Sequence, residues 1–421
     1  MPQSFSPSPF TWFENPLSGG CDTLDVAREL YPEGSDRLPW DFHRHLPGYR
    51  MSPLIGLHNL ATMLGLGGIW VKDESVRMNL GSFKVLGGSY AIYRFIKKHL
   101  GLENREFTFE ELTSAAMKAR YGNLVFATAT DGNHGRGVAW AATQLGLRSI
   151  VYVHKGTSQA RIDAIAKNGA ETRIIDGTYD DAVRQVNLDA QKNGWQVISD
   201  TSWEGYEDIP RWVMQGYSTL FNEAQLQLSA QGISAPTHVF VQAGVGALAA
   251  SAIGFYHQRC PDNPPKSVVV EPDKAACLWL SAREGQGKPL SFKGELDTIM
   301  AGLACGDPSP LAWRILSRCT DVFAVCPDYV AAKGMRVYGV PLAGDPFVVS
   351  GESGAVTLGS IMFLMAMPEA AGLREKLGLD RSSQILLINT EGNTDPDDFR
   401  RIVWEGGDPV PEEFKFYKQD P

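Results

Sequence analysis

The stretch "NLGSFKVLGG", residues 79–88, decides how the rest of this 421-residue chain is read. It holds one lysine, Lys84, among small and apolar neighbours, with no carboxylate beside it. The preceding "GIWVKDES" (68–75) reads as a strand and its exit, and "VLGGSYAIYRFIKK" (85–98) as a helix. Ser82 is the expected N-cap, which puts Lys84 in the first helical turn. There the positive end of the helix dipole, together with desolvation by Phe83, Val85 and Leu86, lowers the pKa of an ammonium group. A lysine prepared in this way suits Schiff-base chemistry with a carbonyl. Gly87 and Gly88 cost helix stability, which makes sense if a flat cofactor or a neighbouring helix comes close. Taken alone, the segment also fits a lysine snorkelling at a helix edge.

Outward from it, strand-like runs alternate with helical ones. "GNLVFATA" (122–129), "RSIVYVH" (148–154), "ETRIID" (171–176), "WQVIS" (195–199), "THVFVQ" (237–242), "KSVVVEP" (266–272) and "SQILLIN" (383–389) are the strands. Short β-branched strands separated by helices predict parallel α/β sheets covered on both faces, and the length favours two such sheets. Ligands in these folds sit at the carboxyl ends of strands, so the residues after each strand are the candidates.

After 122–129 comes "TDGNHGRG" (130–137), whose glycines permit a tight turn into a helix. Asn133 would present an amide and Asp131 a carboxylate, although Asp131 also reads as an N-cap. His134 reads either as catalytic or as a turn histidine bonded to backbone, and Arg136 as facing an anion or solvent. After 195–199 comes Asp200, either a pocket carboxylate or a cap. After 237–242 comes "AGVGALAA" (243–250). Its successive amides opening onto a helix make an anion nest fit for a phosphate. The same loop matches G-x-G-x-x-A with Glu271 ending the next strand, so a dinucleotide site competes. After 383–389 comes Thr390, whose neutral hydroxyl can bond a ring nitrogen or serve as a turn. Glu352, in "SGESGA" (350–355), is either functional or a favourable charge at a helix start.

Composition narrows the classes. Hydrophobic residues make up 43% and charged residues 21%, enough for a sizeable core. The net charge is −9 and no Lys/Arg cluster appears, which argues against nucleic acid and for a small molecule. No apolar run approaches a membrane span; "GALAASAIGFY" and "SIMFLMAMPEAAGL" read as buried helices. The start of the chain lacks the pattern of a signal peptide. The six cysteines form no C-x-x-C, so thiols in a cytoplasmic protein are expected, with a Cys277–Cys305 bridge left open. No H-E-x-x-H, G-x-S-x-G or P-loop pattern is present, and no metal is expected.

In order and spacing, the lysine, the G-N-H-G turn, the glycine loop and the late Thr390 resemble the fold type II pyridoxal phosphate enzymes, the tryptophan synthase β-like family. The resemblance runs from about residue 50 onward. The family's S-F-K-x-R-G is "SFKVLGG" here, without the Arg, and its S-x-G-N-H is "TATDGNHG", with Asp131 where the serine and threonine dehydratases carry a small residue. "DGNHGRGVAW", "DTSWEGYEDIP" and "MQGY" are similar to the diaminopropionate ammonia-lyases within that family.

The resemblance implies a two-domain α/β fold with twisted, mostly parallel sheets. Residues 1–85 and 215–421 would form a large cofactor-binding domain and residues 86–214 a small mobile one. It implies pyridoxal 5'-phosphate on Lys84 as a Schiff base, Asn133 on its phenolic oxygen, and Gly244, Val245, Gly246, Ala247 and Leu248 around its phosphate. Thr390 would face the pyridine nitrogen, and Asp131 and Asp200 would be the acidic groups of the substrate pocket. The implied reaction is α,β-elimination of ammonia from both isomers of 2,3-diaminopropionate, giving pyruvate and a second ammonia. A threonine or serine dehydratase, or an NAD-dependent oxidoreductase, is the alternative. The expected partners are an amino-acid substrate and a second copy of the chain.

Overall fold

The computed structural model describes residues 8–20, 22–130 and 132–415. Among them the strands are β1 (Thr11–Glu14), β2 (Leu54–Gly56), β3 (Gly68–Asp73), β4 (Val125–Ala129), β5 (Arg148–His154), β6 (Glu171–Ile175), β7 (Gln196–Val197), β8 (His238–Gln242), β9 (Lys266–Pro272), β10 (Val322–Cys326) and β11 (Gln384–Asn389). They build a seven-stranded sheet, ordered β1-β10-β9-β8-β11-β3-β2, and a four-stranded sheet, ordered β6-β5-β4-β7. The centre of the large sheet, from β10 to β3, is parallel, and so is the whole small sheet. Only β1 and β2 run antiparallel, each on an outer edge.

Strand periodicity explains the layers, because successive side chains point to opposite faces. Val239 and Val241 of β8, with Leu386 and Ile388 of β11, pack into one core. Phe240 of β8, with Ile385 and Leu387 of β11, packs into the other, on the far face of the sheet. The small sheet repeats the pattern, with Ile150 and Tyr152 facing Ala182 and Val186, and Val151 and Val153 facing Ala139 and Ile165. Continuous apolar runs are what a strand buried on both faces requires.

Three strands escaped the sequence reading. β1 and β2 have four and three residues, all half-buried, so neither carries a strong alternation. β10 is fully buried but lies in "TDVFAVCP" between two helices and gives no site residue to draw attention to it.

The run "GALAASAIGFY" lies in the buried helix Ala247–Arg259. The run "SIMFLMAMPEAAGL" is not one buried helix: its first half ends the buried helix Glu352–Ala366, while its second half crosses the turn Pro368–Ala370 into Ala371–Leu377, where Pro368, Glu369, Ala371 and Gly372 are exposed. No single described helix is long and apolar enough to cross a membrane; Glu352–Ala366 and Pro368–Leu377 pass that test only as a pair bent by 89°. The Cys277–Cys305 bridge is not formed.

The helix Lys84–His99 lies between Asp208–Ala230 and Asn133–Gln144, and its glycines are explained by those neighbours rather than by a flat ligand. A methyl on Gly87 would stand 2.6 Å from the Tyr217 ring and 2.8 Å from Val213 Cγ1, and one on Gly216 would stand 2.5 Å from the Leu86 carbonyl. On the other side, a methyl on Gly137 would stand 2.8 Å from the Val85 nitrogen. The start of the lysine helix is therefore held between two backbones.

Candidate active site

The ends of β4, β5, β8 and β11, with the segments that follow β3 and β7, line one cavity of about 400 Å³. Lys84, Asn133, His134, Asp200, residues 244–248 and Thr390 all line it. Residues separated by hundreds of positions meet there because parallel strands present their carboxyl ends on one side. Asp131 lies outside the described residues.

Lys84 is the first residue of its helix, but the cap is Phe83, not Ser82. The backbone of Ser82 is taken by a bridge to Glu391, flanked by Phe83 N–H donating to Thr390 O (3.2 Å) and Gly392 N–H donating to Gly81 O (2.9 Å). The strand-exit segment that carries Lys84 is thus tied to the segment that carries Thr390. The apparent isolation of the amine is also corrected: Lys84 Nζ donates to Asp200 Oδ2 at 2.5 Å, from a residue 116 positions away.

Asp200 is buried, and no helix starts on it; the next begins at Asp208 with Glu207 as cap. Burial alone would raise its pKa. The Lys84 and His134 charges and the Lys84 hydrogen bond outweigh burial and hold it well below the usual carboxylate range.

In the turn after β4, Thr130 Oγ1 accepts from Gly132 N–H (2.9 Å) and Gly135 N–H (3.1 Å), a capping part the sequence reading had not given it. Gly135 has no room for a side chain, since a methyl there would meet Thr130 Cγ2 at 2.5 Å and Val151 Cγ1 at 2.6 Å. His134 is the backbone-bonded histidine, with Nε2 at 2.9 Å from Ile198 O. Asn133, at the helix start, donates from Nδ2 to Glu391 Oε2 at 2.6 Å.

The glycine loop leads into Ala247–Arg259, with Gly246 as cap at φ +97. That angle and a 2.9 Å approach of Leu316 to a would-be methyl require glycine. Gly244 likewise faces Cys305 Sγ at 3.0 Å and Gly302 O at 3.2 Å. First-turn N–H groups of a helix have no intrahelical acceptor, so this corner of the cavity attracts an anion. The dinucleotide reading fails on Glu271. It is fully buried and accepts from the backbone N–H of Leu278 (2.8 Å) and Trp279 (2.6 Å), so no ribose can reach it. Burial pushes its carboxyl up to about 8.

Thr390 Oγ1 lies 2.9 Å from Gln242 Nε2, which also donates to Ser353 O (2.8 Å) and Ile388 O (3.0 Å). Thr390 itself lines the cavity. Gln242 Oε1 is buried with no hydrogen-bond partner among the described residues. Gln242 and Glu391 were missed by the sequence reading; the available signal was a polar residue ending a buried strand and an acid next to a strand-end threonine.

An amine on one wall, a helix start on another and a hydroxyl on a third fit a group bearing an aldehyde, a phosphate and a pyridine nitrogen. Comparison with known proteins agrees. Residues 45–390 match the family model described as pyridoxal-phosphate dependent enzyme. The chain is 46% identical over 377 residues to the diaminopropionate ammonia-lyase of Escherichia coli strain K12, covering 90% of this chain and 93% of that one. Its fold matches the Escherichia coli enzyme in complex with D-serine at a TM-score of 0.87, with 44% identity and coverage of 96% and 98%. It matches the same enzyme in complex with an aminoacrylate-PLP azomethine reaction intermediate at 0.85, with 43% identity and coverage of 95% and 98%.

Proposed function

This chain belongs to the pyridoxal-phosphate-dependent enzyme family, and from that premise we propose how its own residues carry out the activity it shares with its relatives. The activity is that of a diaminopropionate ammonia-lyase and the cofactor is pyridoxal 5'-phosphate. When bound, the cofactor supplies an electron sink that lets the Cα proton leave as the β-amino group is lost. The observation that carries the assignment of residues is the convergence of Lys84, the 244–248 amides and Thr390 on one cavity.

Lys84 anchors the cofactor aldehyde and, once displaced, takes the Cα proton at Nζ. The amides of Gly244, Val245, Gly246, Ala247 and Leu248 hold the phosphate. Asn133 Nδ2 donates to the phenolic oxygen. Thr390, held beside Gln242 at 2.9 Å, would meet the pyridine nitrogen without forcing a proton onto it. A hydroxyl partner there would make a milder sink than an acidic partner would, which suits an elimination.

Asp200, ionised beside Lys84, attracts the β-ammonium group and helps it leave protonated. Asp131, from its place in the sequence next to Thr130, takes the Cα proton from the opposite face, which admits both the L and the D isomer. The 2-aminoacrylate released hydrolyses to pyruvate and a second ammonia. The test is an assay of both isomers with wild type and Asp131→Asn. Wild type should give one pyruvate and two ammonia from either. The variant should lose mainly one isomer, and equal survival of both would refute the two-base assignment.

Residues 1–85 with 215–421 act as the large domain and 86–214 as the small one that closes over substrate and excludes water. Supporting this, Arg161 on the small-sheet side faces Asp395 at 3.9 Å across the cavity rim. The thiols Cys260, Cys277, Cys319 and Cys326 fit a cytoplasmic location. The exposed side chains of Val340, Leu342, Phe347 and Val349 fit a homodimer contact.

A further inference from the structure

Glu391 stands at a junction that the assignment above leaves unused. It is buried in the cavity wall immediately after Thr390. Its backbone bridges Ser82, two residues before Lys84. Its side chain accepts from Asn133 Nδ2 at 2.6 Å, from Thr394 Oγ1 at 3.2 Å and from the Ser353 backbone N–H at 3.3 Å. One residue therefore touches the lysine segment, the threonine segment and the asparagine helix, the last from a position 258 residues away.

We propose that Glu391 is the positioning residue that fixes the Asn133 side-chain amide for the cofactor and locks the Asn133 helix to the Lys84 and Thr390 segments. A carboxylate only accepts hydrogen bonds, so the amide atom facing it must be the nitrogen. That choice fixes the orientation of an amide that would otherwise flip. An amide nitrogen carries two protons; Glu391 holds one and leaves the other free to donate into the cavity. A neutral side chain at 391 lacks the charge that selects this orientation, and the amide oxygen can then face the cofactor's phenolic oxygen, where two acceptors repel. Burial, and after it the Glu391 carboxylate, push the neighbouring Glu352 carboxyl above the usual carboxylate range.

This inference rests on the cofactor assignment, and its test separates the two. Wild type, Glu391→Gln, Glu391→Ala, Asn133→Ala and the double variant Glu391→Gln/Asn133→Ala are prepared as holoenzymes. Three quantities are read: the visible absorption spectrum of the bound cofactor, the dissociation constant for pyridoxal phosphate added to apoenzyme, and the melting temperature. Both Glu391 variants should shift the absorption band and weaken cofactor binding about tenfold, the loss of one charge-assisted hydrogen bond. In the Asn133→Ala background the Glu391→Gln change should alter binding by less than about twofold, because the two residues act as one unit. A full effect that persists without Asn133, or an unshifted spectrum and unchanged affinity in both single variants, overturns the proposal. Should Glu391→Ala fail to fold, Glu391→Gln against its Asn133→Ala partner still decides. If wild type itself binds no pyridoxal phosphate, it is the cofactor assignment that fails.

Discussion

Replacing Gly137 by alanine tests how tightly the lysine helix is held. The added methyl would lie 2.8 Å from the Val85 nitrogen, 2.9 Å from Val85 Cα and 3.0 Å from the Lys84 carbonyl carbon. Ordinary contact begins near 3.4 Å, so the two backbones must part by about 0.6 Å. All three near atoms are backbone, so no rotamer change relieves the contact. Recoil is blocked on the far side, where Gly216 already allows Asp208–Ala230 to touch Leu86 and Gly87. Overpacking of this kind costs about 1–3 kcal/mol. A displacement of ~1 Å at a reacting group can cost roughly 100-fold in rate, so about half that shift at Lys84 should cost on the order of tenfold in kcat/KM.

Gly88→Ala is the internal control: its nearest neighbours, Val138 Cγ2 and the Val138 nitrogen, lie at 3.3 Å, so a shift of tenths of an ångström suffices. The assay is pyruvate release from each isomer of diaminopropionate, with the melting temperature of the holoenzyme beside it. If Gly137→Ala keeps wild-type kcat/KM and melting temperature, or is milder than Gly88→Ala, the close-packing argument is wrong.

Gly246→Ala should weaken cofactor binding about tenfold, since a methyl at φ +97 costs ~1–2 kcal/mol and drives the loop off Leu316; equilibrium dialysis with pyridoxal phosphate measures it, and unchanged affinity would remove this loop from the phosphate site. Glu271 gives a pH prediction. Its carboxyl is raised to about 8 in the fold from 4.5. The folded chain therefore holds a proton that the unfolded chain has lost between those values, and stability falls as pH rises through that window. Glu271→Gln should make the fall in urea midpoint from pH 6 to pH 9 shallower; an identical slope in the variant contradicts the assignment.

The parts of the fold that were legible in the sequence are those whose signal is local. β5 and β9 begin and end where their β-branched runs do, because a strand buried on both faces must be continuously apolar. The half-buried edge strands β1 and β2 carry no such signal. The site divides in the same way. Lys84, Asn133, Asp200, residues 244–248 and Thr390 were singled out because each follows a strand, and the fold brings them to one cavity. Their partners were not: Asp200 for Lys84 and Glu391 for Asn133 are pairings across 116 and 258 positions that no period in the sequence encodes. Ser82 was misread as a cap because nothing local shows that its backbone is engaged by Glu391. Glu271 was visible as an acid ending a strand, but only its backbone donors reveal that it serves a helix start rather than a ribose.

The most direct measurement is reductive trapping of the cofactor. Holoenzyme treated with borohydride, digested and sequenced by mass spectrometry should carry the phosphopyridoxyl group on the peptide containing Lys84, and Lys84→Ala should carry none. A label on any other lysine, or an unlabelled Lys84 in protein whose yellow colour has bleached, would contradict the account.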